Sequence, residues 1–268
     1  VMTVTGSHTM SDTRISPEQY QKLSQIVYKE SGIVLNEKKY NLLVARLAKR
    51  MRKTRIPNVS AYIKRIASDE KEFGEFIDAT TTNHTYFFRE NKHCEFLLRT
   101  LKPEKPLKIW SAASSSGEEP FSIAVQFLDQ NFEFSILASD VSDSMLNLGR
   151  QAVYPVERVK EVPKPMLHTY FQKGKNSRAG YVRMKPFVRE RVTFAKHNLL
   201  SDEPKEMYDI IFCRNVMIYF DAPTRQKVVT TLLRALHPGG YLFVGLSESL
   251  HGLDHNVTPV VPSGYRKK

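Results

Sequence analysis

From Leu107 onward the sequence alternates short apolar runs with segments of helical length, and few architectures accommodate that rhythm. The runs Leu107–Trp110, Phe134–Ala138, Arg191–Phe194, Tyr208–Phe212 and Tyr241–Leu246 have the length and character of strands. Helices are predicted over Pro120–Asp129, Ser144–Gln151 and Pro223–Leu236. Apolar strands separated by helices must be covered on both faces, so the pattern specifies an α/β fold around a mostly parallel sheet. One segment breaks the rhythm. "YFQKGKNSRAGYVRMKPFVRERVTF", Tyr170 to Phe194, reads as short antiparallel strands about a glycine-containing turn, inserted into the α/β layer.

The residues before this region are patterned for helices alone. Ser16 suits the cap of a helix that starts at Pro17, carries Glu18 in its first turn and stops at Gly32. Tyr40, Leu43, Val44, Leu47 and Met51 then recur at helical spacing and form one apolar stripe. Two shorter helices are expected around Val59–Ser68 and Lys71–Thr81. Residues 38–55 hold eight lysines or arginines and no acid, with Arg46, Arg50 and Lys53 clustered away from the stripe. The division expected is an all-helical domain over residues 11–83 and an α/β domain over 84–268, the β insertion lying at about 168–194. Residues 1–10 contain a Gly-Ser-His run and read as a tag remnant, with the native chain starting near Met10.

Composition narrows the function classes. No apolar run reaches about 18 residues, so no membrane-spanning helix and no direct membrane insertion are expected. Cys94 and Cys213 are far apart and in unlike contexts, which gives neither a metal-ligand spacing nor a disulfide framework and fits a reducing cytoplasm. The net charge of +12 favours an acidic partner without choosing among nucleic acid, lipid and protein.

The stretch "KIWSAASSSGEEPFSIAV", Lys108 to Val125, carries the chemistry. A strand that ends in a run of tiny residues lets a ligand approach the backbone, and the helix that follows offers unpaired N–H groups. Gly117 is the only glycine in the loop, so neither G-x-G-x-x-G nor the P-loop pattern is present. Glu118 and Glu119 would repel a pyrophosphate and suit a ligand with positive charge. Asp140 ends the next strand 23 residues after Gly117, near the spacing of about 20 for an acid that holds a ribose diol. A ribose with a cationic group and no phosphate describes S-adenosylmethionine. On the residues alone, Asp140 could equally cap the next helix, and the glutamate pair could simply complete a first turn.

Four motifs, "TTNHTYFFRE" (Thr81–Glu90), "WSAASSSGEEPFSIA", "FCRNVMIYFD" (Phe212–Asp221) and "GLSES" (Gly245–Ser249), occur in an order that resembles the chemotaxis receptor methyltransferases, the CheR family. The resemblance runs from about Ser16 to Tyr265. It implies a class I S-adenosylmethionine-dependent methyltransferase domain of Rossmann-like form, with an antiparallel β-subdomain inserted and a small all-helical domain in front. It further implies methyl transfer to glutamate side chains of chemoreceptors, with S-adenosylhomocysteine as the product and no metal. Carried over residue by residue, Asn83, Thr85, Arg89, Arg214 and Asn215 match cofactor-pocket positions, and Arg89 also faces the reacting centre. Glu119 matches the contact to the methionine end, Asp140 the ribose acid, and Asn198 and Leu199 the surroundings of the adenine. Tyr219 matches the active-site tyrosine. Ser114 stands where the family commonly has Ala or Cys, and His84 occupies a variable slot without a role. Without the resemblance, Arg89 could pair with Glu90 at the surface and Tyr219 could be a core aromatic.

A glutamate carboxylate is ionised at neutral pH, so this reaction requires no general base, and the lack of a Ser-His-Asp or Cys-His arrangement is consistent with it. Cys213 reads as a small buried hydrophobe rather than a nucleophile. The expected partner is the helical bundle of a methyl-accepting receptor, docked on Arg46, Arg50 and Lys53. In some family members the β-subdomain also captures a receptor C-terminal pentapeptide as an added strand. Two rivals stay open: an RNA or DNA methyltransferase of the same fold, and a catalytically silent adaptor. Against nucleic acid, the chain lacks the Asn/Asp-Pro-Pro-aromatic tetrapeptide and aromatics interleaved with the basic run.

Overall fold

The computed structural model describes residues 15–81 and 83–268, so the segment read as a tag remnant lies outside the described residues. Two compact units emerge. One ends at Thr80 and leaves out Glu30–Val34, which join Thr81–Lys268 in the other. The boundary falls three residues before the expected one, and the five residues Glu30–Val34 change sides.

The helical unit contains α1 (Pro17–Ser31, its last two residues in the other unit), α2 (Tyr40–Thr54), α3 (Val59–Ser68) and α4 (Glu70–Thr80). Ser16 starts α1 as part of a reciprocal cap: its Oγ accepts from the Gln19 amide at 3.2 Å, and Gln19 Oε1 accepts from the Ser16 amide at 3.0 Å. Asn58 caps α3 by accepting from the Ala61 amide. Leu43, Leu47 and Met51 of α2 are buried, as are Tyr62 of α3 and Phe76 of α4.

Arg50 departs from the expectation of an open basic face. It lies three residues after Leu47 and seven after Leu43, which puts it on the buried stripe. It is only 8% exposed. Its guanidinium donates to both carboxylate oxygens of Glu72, at 3.0 and 2.6 Å, and to Glu75 at 2.6 Å. Tyr62 Oη adds a 2.6 Å bond to Glu72. Arg50 is therefore a core ion-pair residue rather than a docking residue. Arg46 donates to the Thr80 carbonyl at 2.7 Å, whereas the Lys53 side chain is 69% exposed.

The second unit follows the predicted α/β rhythm: α5 (Lys92–Thr100), β1 (Leu107–Ala112), α6 (Glu118–Asp129), β2 (Phe134–Asp140) and α7 (Asp143–Gln151). Next come β3 (Val153–Pro155), α8 (Lys164–Tyr170), β4 (Phe171–Lys173), β5 (Tyr181–Met184) and the short α9 (Pro186–Arg189). The chain closes with β6 (Val192–Lys196), β7 (Tyr208–Cys213), α10 (Ala222–Arg234), β8 (Leu236–Val244), β9 (Val257–Val261) and β10 (Gly264–Lys267). The main sheet has the order β6-β2-β1-β7-β8-β10-β9. The first five strands are parallel, while β10 runs antiparallel to both β8 and β9.

Alternate residues of the central strands feed two cores. Ile109, Ile210, Phe212, Tyr241 and Phe243 lie in one, and Trp110, Ala112, Ile211, Cys213, Leu242 and Val244 in the other. Period-two burial on both sides is what a covered parallel sheet requires.

The insertion starts earlier and ends earlier than expected. Its sheet, β3-β5-β4, recruits Val153–Pro155, while Val192–Lys196 pairs with β2 in the main sheet. Strand β3 was hidden because three residues directly after a helix carry no detectable period.

Candidate active site

Strand β1 has β2 on one side and β7 on the other, so the strand order reverses there. In open α/β sheets this switch point leaves a crevice beyond the carboxyl ends of the strands. A cavity of about 940 Å³, counting space open to solvent at its mouth, occupies that position.

Asn83, Thr85, Arg89, Glu119, Asp140, Asn198, Leu199, Arg214, Asn215 and Tyr219 all line the cavity. Gly117 does not. It shapes the loop from behind with a φ of +96°, and a Cβ there would sit 3.0 Å from Phe194 Cζ and from Tyr154 Oη. Ala113 (φ +63°) and Ser115 (φ +49°) share its left-handed conformation, so the small residues after β1 serve a tightly wound loop.

Asp140 is buried and fastens the loops after β1 and β2 together. Its Oδ2 accepts from the Ser115 amide at 2.8 Å, and Oδ1 accepts from the Ser142 amide at 3.0 Å. A carboxylate has about four lone-pair sites, so an oxygen that already accepts one amide can accept a hydroxyl as well.

The glutamate pair separates. Glu118 is fully buried and turned away, accepting from Ser116 Oγ and from Arg158 Nη1, each at 2.6 Å. Burial pushes its pKa up against these bonds. Glu119 alone faces the cavity, and its charge is compensated: Oε1 accepts from Ser111 Oγ at 2.7 Å and Oε2 from Arg214 Nε at 2.7 Å. Glu118 therefore does not join Glu119 in facing a positively charged ligand, contrary to the expectation for the pair. Consecutive residues at the start of a helix point about 100° apart, so two neighbouring acids do not share a target.

Arg214 is buried, donates to the Glu90 carbonyl at 3.0 Å and lies over the Phe212 ring. Arg89 is half-buried. Its Nη2 donates to Asn215 Oδ1 at 2.8 Å and its Nη1 to the His84 carbonyl at 2.9 Å. The fork of N–H donors is thus held from two sides, and Tyr219 lines the same cavity, its carbonyl accepting from the Val34 amide at 3.0 Å. Asn198 uses its side chain to fix backbone, donating to the Glu30 carbonyl at 2.8 Å and accepting from the Leu200 amide at 3.0 Å.

Two features escaped the sequence reading. Ile33, Val141, His197, Leu200, Val216 and Phe220 also line the cavity and supply a mostly apolar wall. Burial lowers the His197 pKa, which favours the neutral ring, and its edge packs on Trp110. Glu248, within "GLSES", is buried and accepts three amides: Asn215 at 2.7 Å, Gly245 at 2.5 Å and Ile218 at 3.1 Å. A lone acid just past a strand end was the available signal.

These residues fit an S-adenosyl nucleoside: an anchored acid for a diol, an apolar wall for a base, and loop backbone open to close approach. No group of three or more potential metal ligands occurs among the described residues. Cys213 is fully buried and its thiol pKa is pushed well above the usual range by burial, as suits a core residue.

Residues 83–264 match the family model for the CheR methyltransferase SAM binding domain, and residues 18–81 match that for the CheR methyltransferase all-alpha domain. The chemotaxis protein methyltransferase 2 of Pseudomonas aeruginosa is 38% identical over 259 residues, covering 92% of each chain. The chemotaxis protein methyltransferase of Borreliella burgdorferi is 36% identical over 276 residues, covering 94% of this chain and 95% of that one. That of Escherichia coli K12 is 34% identical over 253 residues, covering 91% and 88%.

Proposed function

This chain belongs to the CheR methyltransferase family, and from that premise we propose that it methylates glutamate side chains of methyl-accepting chemoreceptors in the cytoplasm, forming glutamyl methyl esters. The observation that carries the choice of a carboxylate is Arg89, whose forked donors are held at the cavity by Asn215 and His84. Guanidinium forks match carboxylates in geometry as well as charge.

When bound, S-adenosylmethionine supplies an electrophilic methyl group on a sulfonium, with S-adenosylhomocysteine as the product. Asp140 holds the ribose diol, while Leu199 and the apolar wall take the adenine. Glu119, oriented by Ser111 and Arg214, receives the ammonium of the methionine end. Asn83, Thr85 and Asn215 complete the polar lining. Arg89 would hold the incoming glutamate carboxylate and Tyr219 would confine it, the two fixing how it is presented to the bound cofactor. Such alignment supplies several kcal/mol through effective molarity. The nucleophile arrives ionised and the electrophile carries its own charge, so neither a proton acceptor nor a metal is needed.

Docking falls to the exposed cations of α2, Lys53 together with Lys49 and Arg52, and to Arg55 just past the helix end. A glutamate-bearing receptor helix bundle is the acidic surface that suits them. The three-stranded sheet, with β3 and β4 at its edges, can take a receptor C-terminal pentapeptide as a further strand.

Incubation with methyl-labelled cofactor, receptor-bearing membranes and RNA tests the reading. Base-labile label on receptor protein supports it. Label on nucleic acid, or on no macromolecule, overturns it.

A further inference from the structure

The insertion reaches back to the cofactor loop through two side chains. Tyr154, in β3, is buried and donates its hydroxyl to the Ser116 carbonyl at 2.7 Å. Its ring packs edge-on against Phe87, and its oxygen is one of the atoms that a Cβ on Gly117 would meet. Arg158, in the turn after β3, donates from Nη1 to Glu118 at 2.6 Å and to the Thr85 carbonyl at 3.3 Å.

The asymmetry of the Arg158–Glu118 pair shows where the energy lies. The Glu118 carboxylate is 0% exposed, whereas the Arg158 side chain is 46% exposed. The carboxylate has its remaining bond from Ser116, and Ser116 is the residue whose carbonyl Tyr154 holds. Arg158 thus neutralises a charge that has no access to water, and in the same contact ties Thr85 to the helix that follows the loop.

We propose that Arg158 and Tyr154 are positioning residues for cofactor binding: carried by the insertion, they lock Ser116–Glu118 and Thr85 into the shape the bound nucleoside requires. Neither side chain lines the cavity. The inference rests only on the S-adenosylmethionine-binding fold and is independent of the substrate that receives the methyl group.

The loss of Arg158 alone strands a buried carboxylate, while the loss of both charges strands nothing, and that difference supplies the test. S-adenosylhomocysteine is titrated calorimetrically into wild type, Arg158→Ala, Arg158→Lys, Glu118→Gln and the Arg158→Ala/Glu118→Gln double variant. Ligand-free melting temperatures are recorded in parallel. Arg158→Ala is expected to weaken binding about tenfold or more, because truncating one partner of a buried charge pair is costly. Arg158→Lys should retain part of the affinity. The double variant should bind more tightly and melt higher than Arg158→Ala, a sign reversal that simple damage to packing does not produce. Wild-type affinity in Arg158→Ala, or a double variant as weak as the two single losses combined, overturns the proposal. If Arg158→Ala fails to fold, Tyr154→Phe, which removes one hydroxyl, decides. It must weaken S-adenosylhomocysteine binding and raise KM for the cofactor by more than it lowers kcat, and unchanged binding overturns the proposal.

Discussion

Replacing Arg50 separates two meanings of a basic residue on α2. In the structure Arg50 makes a two-pronged contact with Glu72, which is buried, and a single contact with Glu75, whose side chain is 40% exposed. The Glu75 contact is worth at most about 1 kcal/mol, because water screens it. The Glu72 contact dominates, since Arg50→Ala leaves that carboxylate buried with only the Tyr62 hydroxyl beside it. Breaking a buried pair from one side costs about 3–5 kcal/mol. For a unit of this size each kcal/mol lowers the melting midpoint by about 4–8 °C, so at the lower cost the helical unit should melt about 12–24 °C earlier if it unfolds by itself. Calorimetric scanning measures this directly. Adding Glu72→Gln should recover part of the loss, because an amide can still accept from Tyr62 without demanding a cation. Lys53→Glu should behave in the opposite manner, leaving the midpoint within about 2 °C while lowering the low-salt methylation rate and flattening its salt dependence. An unchanged midpoint in Arg50→Ala, with methylation reduced, would refute the reasoning and return Arg50 to the docking surface.

Asp140→Asn should weaken S-adenosylhomocysteine binding by about tenfold or more in calorimetry, since one anchored oxygen becomes a donor facing donors. Arg89→Ala and Tyr219→Phe should lower kcat at saturating cofactor while changing cofactor affinity by less, and equal turnover in either variant would rule out a role for that side chain at the reacting centre. Gly117→Ala should raise the cofactor KM, because φ of +96° and two neighbours at 3.0 Å leave a methyl group no relaxed position. Cys213→Ala should keep kcat within about threefold despite losing about 1–2 kcal/mol of stability to the cavity it leaves, and a collapse of kcat would contradict the core assignment.

Strand–helix alternation proved legible because burial on both faces leaves an unmistakable apolar run: each of the five expected strands lies in the main sheet. The final antiparallel pair was not legible. Strand β9 contains Pro259 and sits at the sheet edge, where proline is tolerated and the apolar period is lost. At the site, spacing pointed to Asp140 and the family resemblance of the motifs to the other polar residues that line the cavity, whereas Ile33 and Phe220 gave no signal. Apolar residues near a helix end or a turn look like ordinary packing until the fold brings them to one cavity. Arg50 was misjudged for a related reason. Charge was counted along the chain, while its offsets from Leu43 and Leu47 already placed it on the buried stripe.

The acids around the cavity explain why charge alone was an uncertain guide to the ligand. Asp140 ties the loop after β2 to the loop after β1 through Ser115. Glu119, at the start of α6, ties β1 to the end of β7 through Ser111 and Arg214. Glu248 ties the turn after β8 to the turn after β7 through the Asn215 and Ile218 amides. Each carboxylate therefore spends its charge on joining the ends of neighbouring strands, where the sheet's own hydrogen bonds have run out. Ligand recognition must then come from the lone pairs left over, which are directional, rather than from net negative potential, which is not. A site built this way binds through geometry, so its affinity for S-adenosylhomocysteine, which lacks the sulfonium charge, should fall little below that for S-adenosylmethionine. Affinities that differ a hundredfold in favour of the charged form would show instead that the field of the acids governs binding.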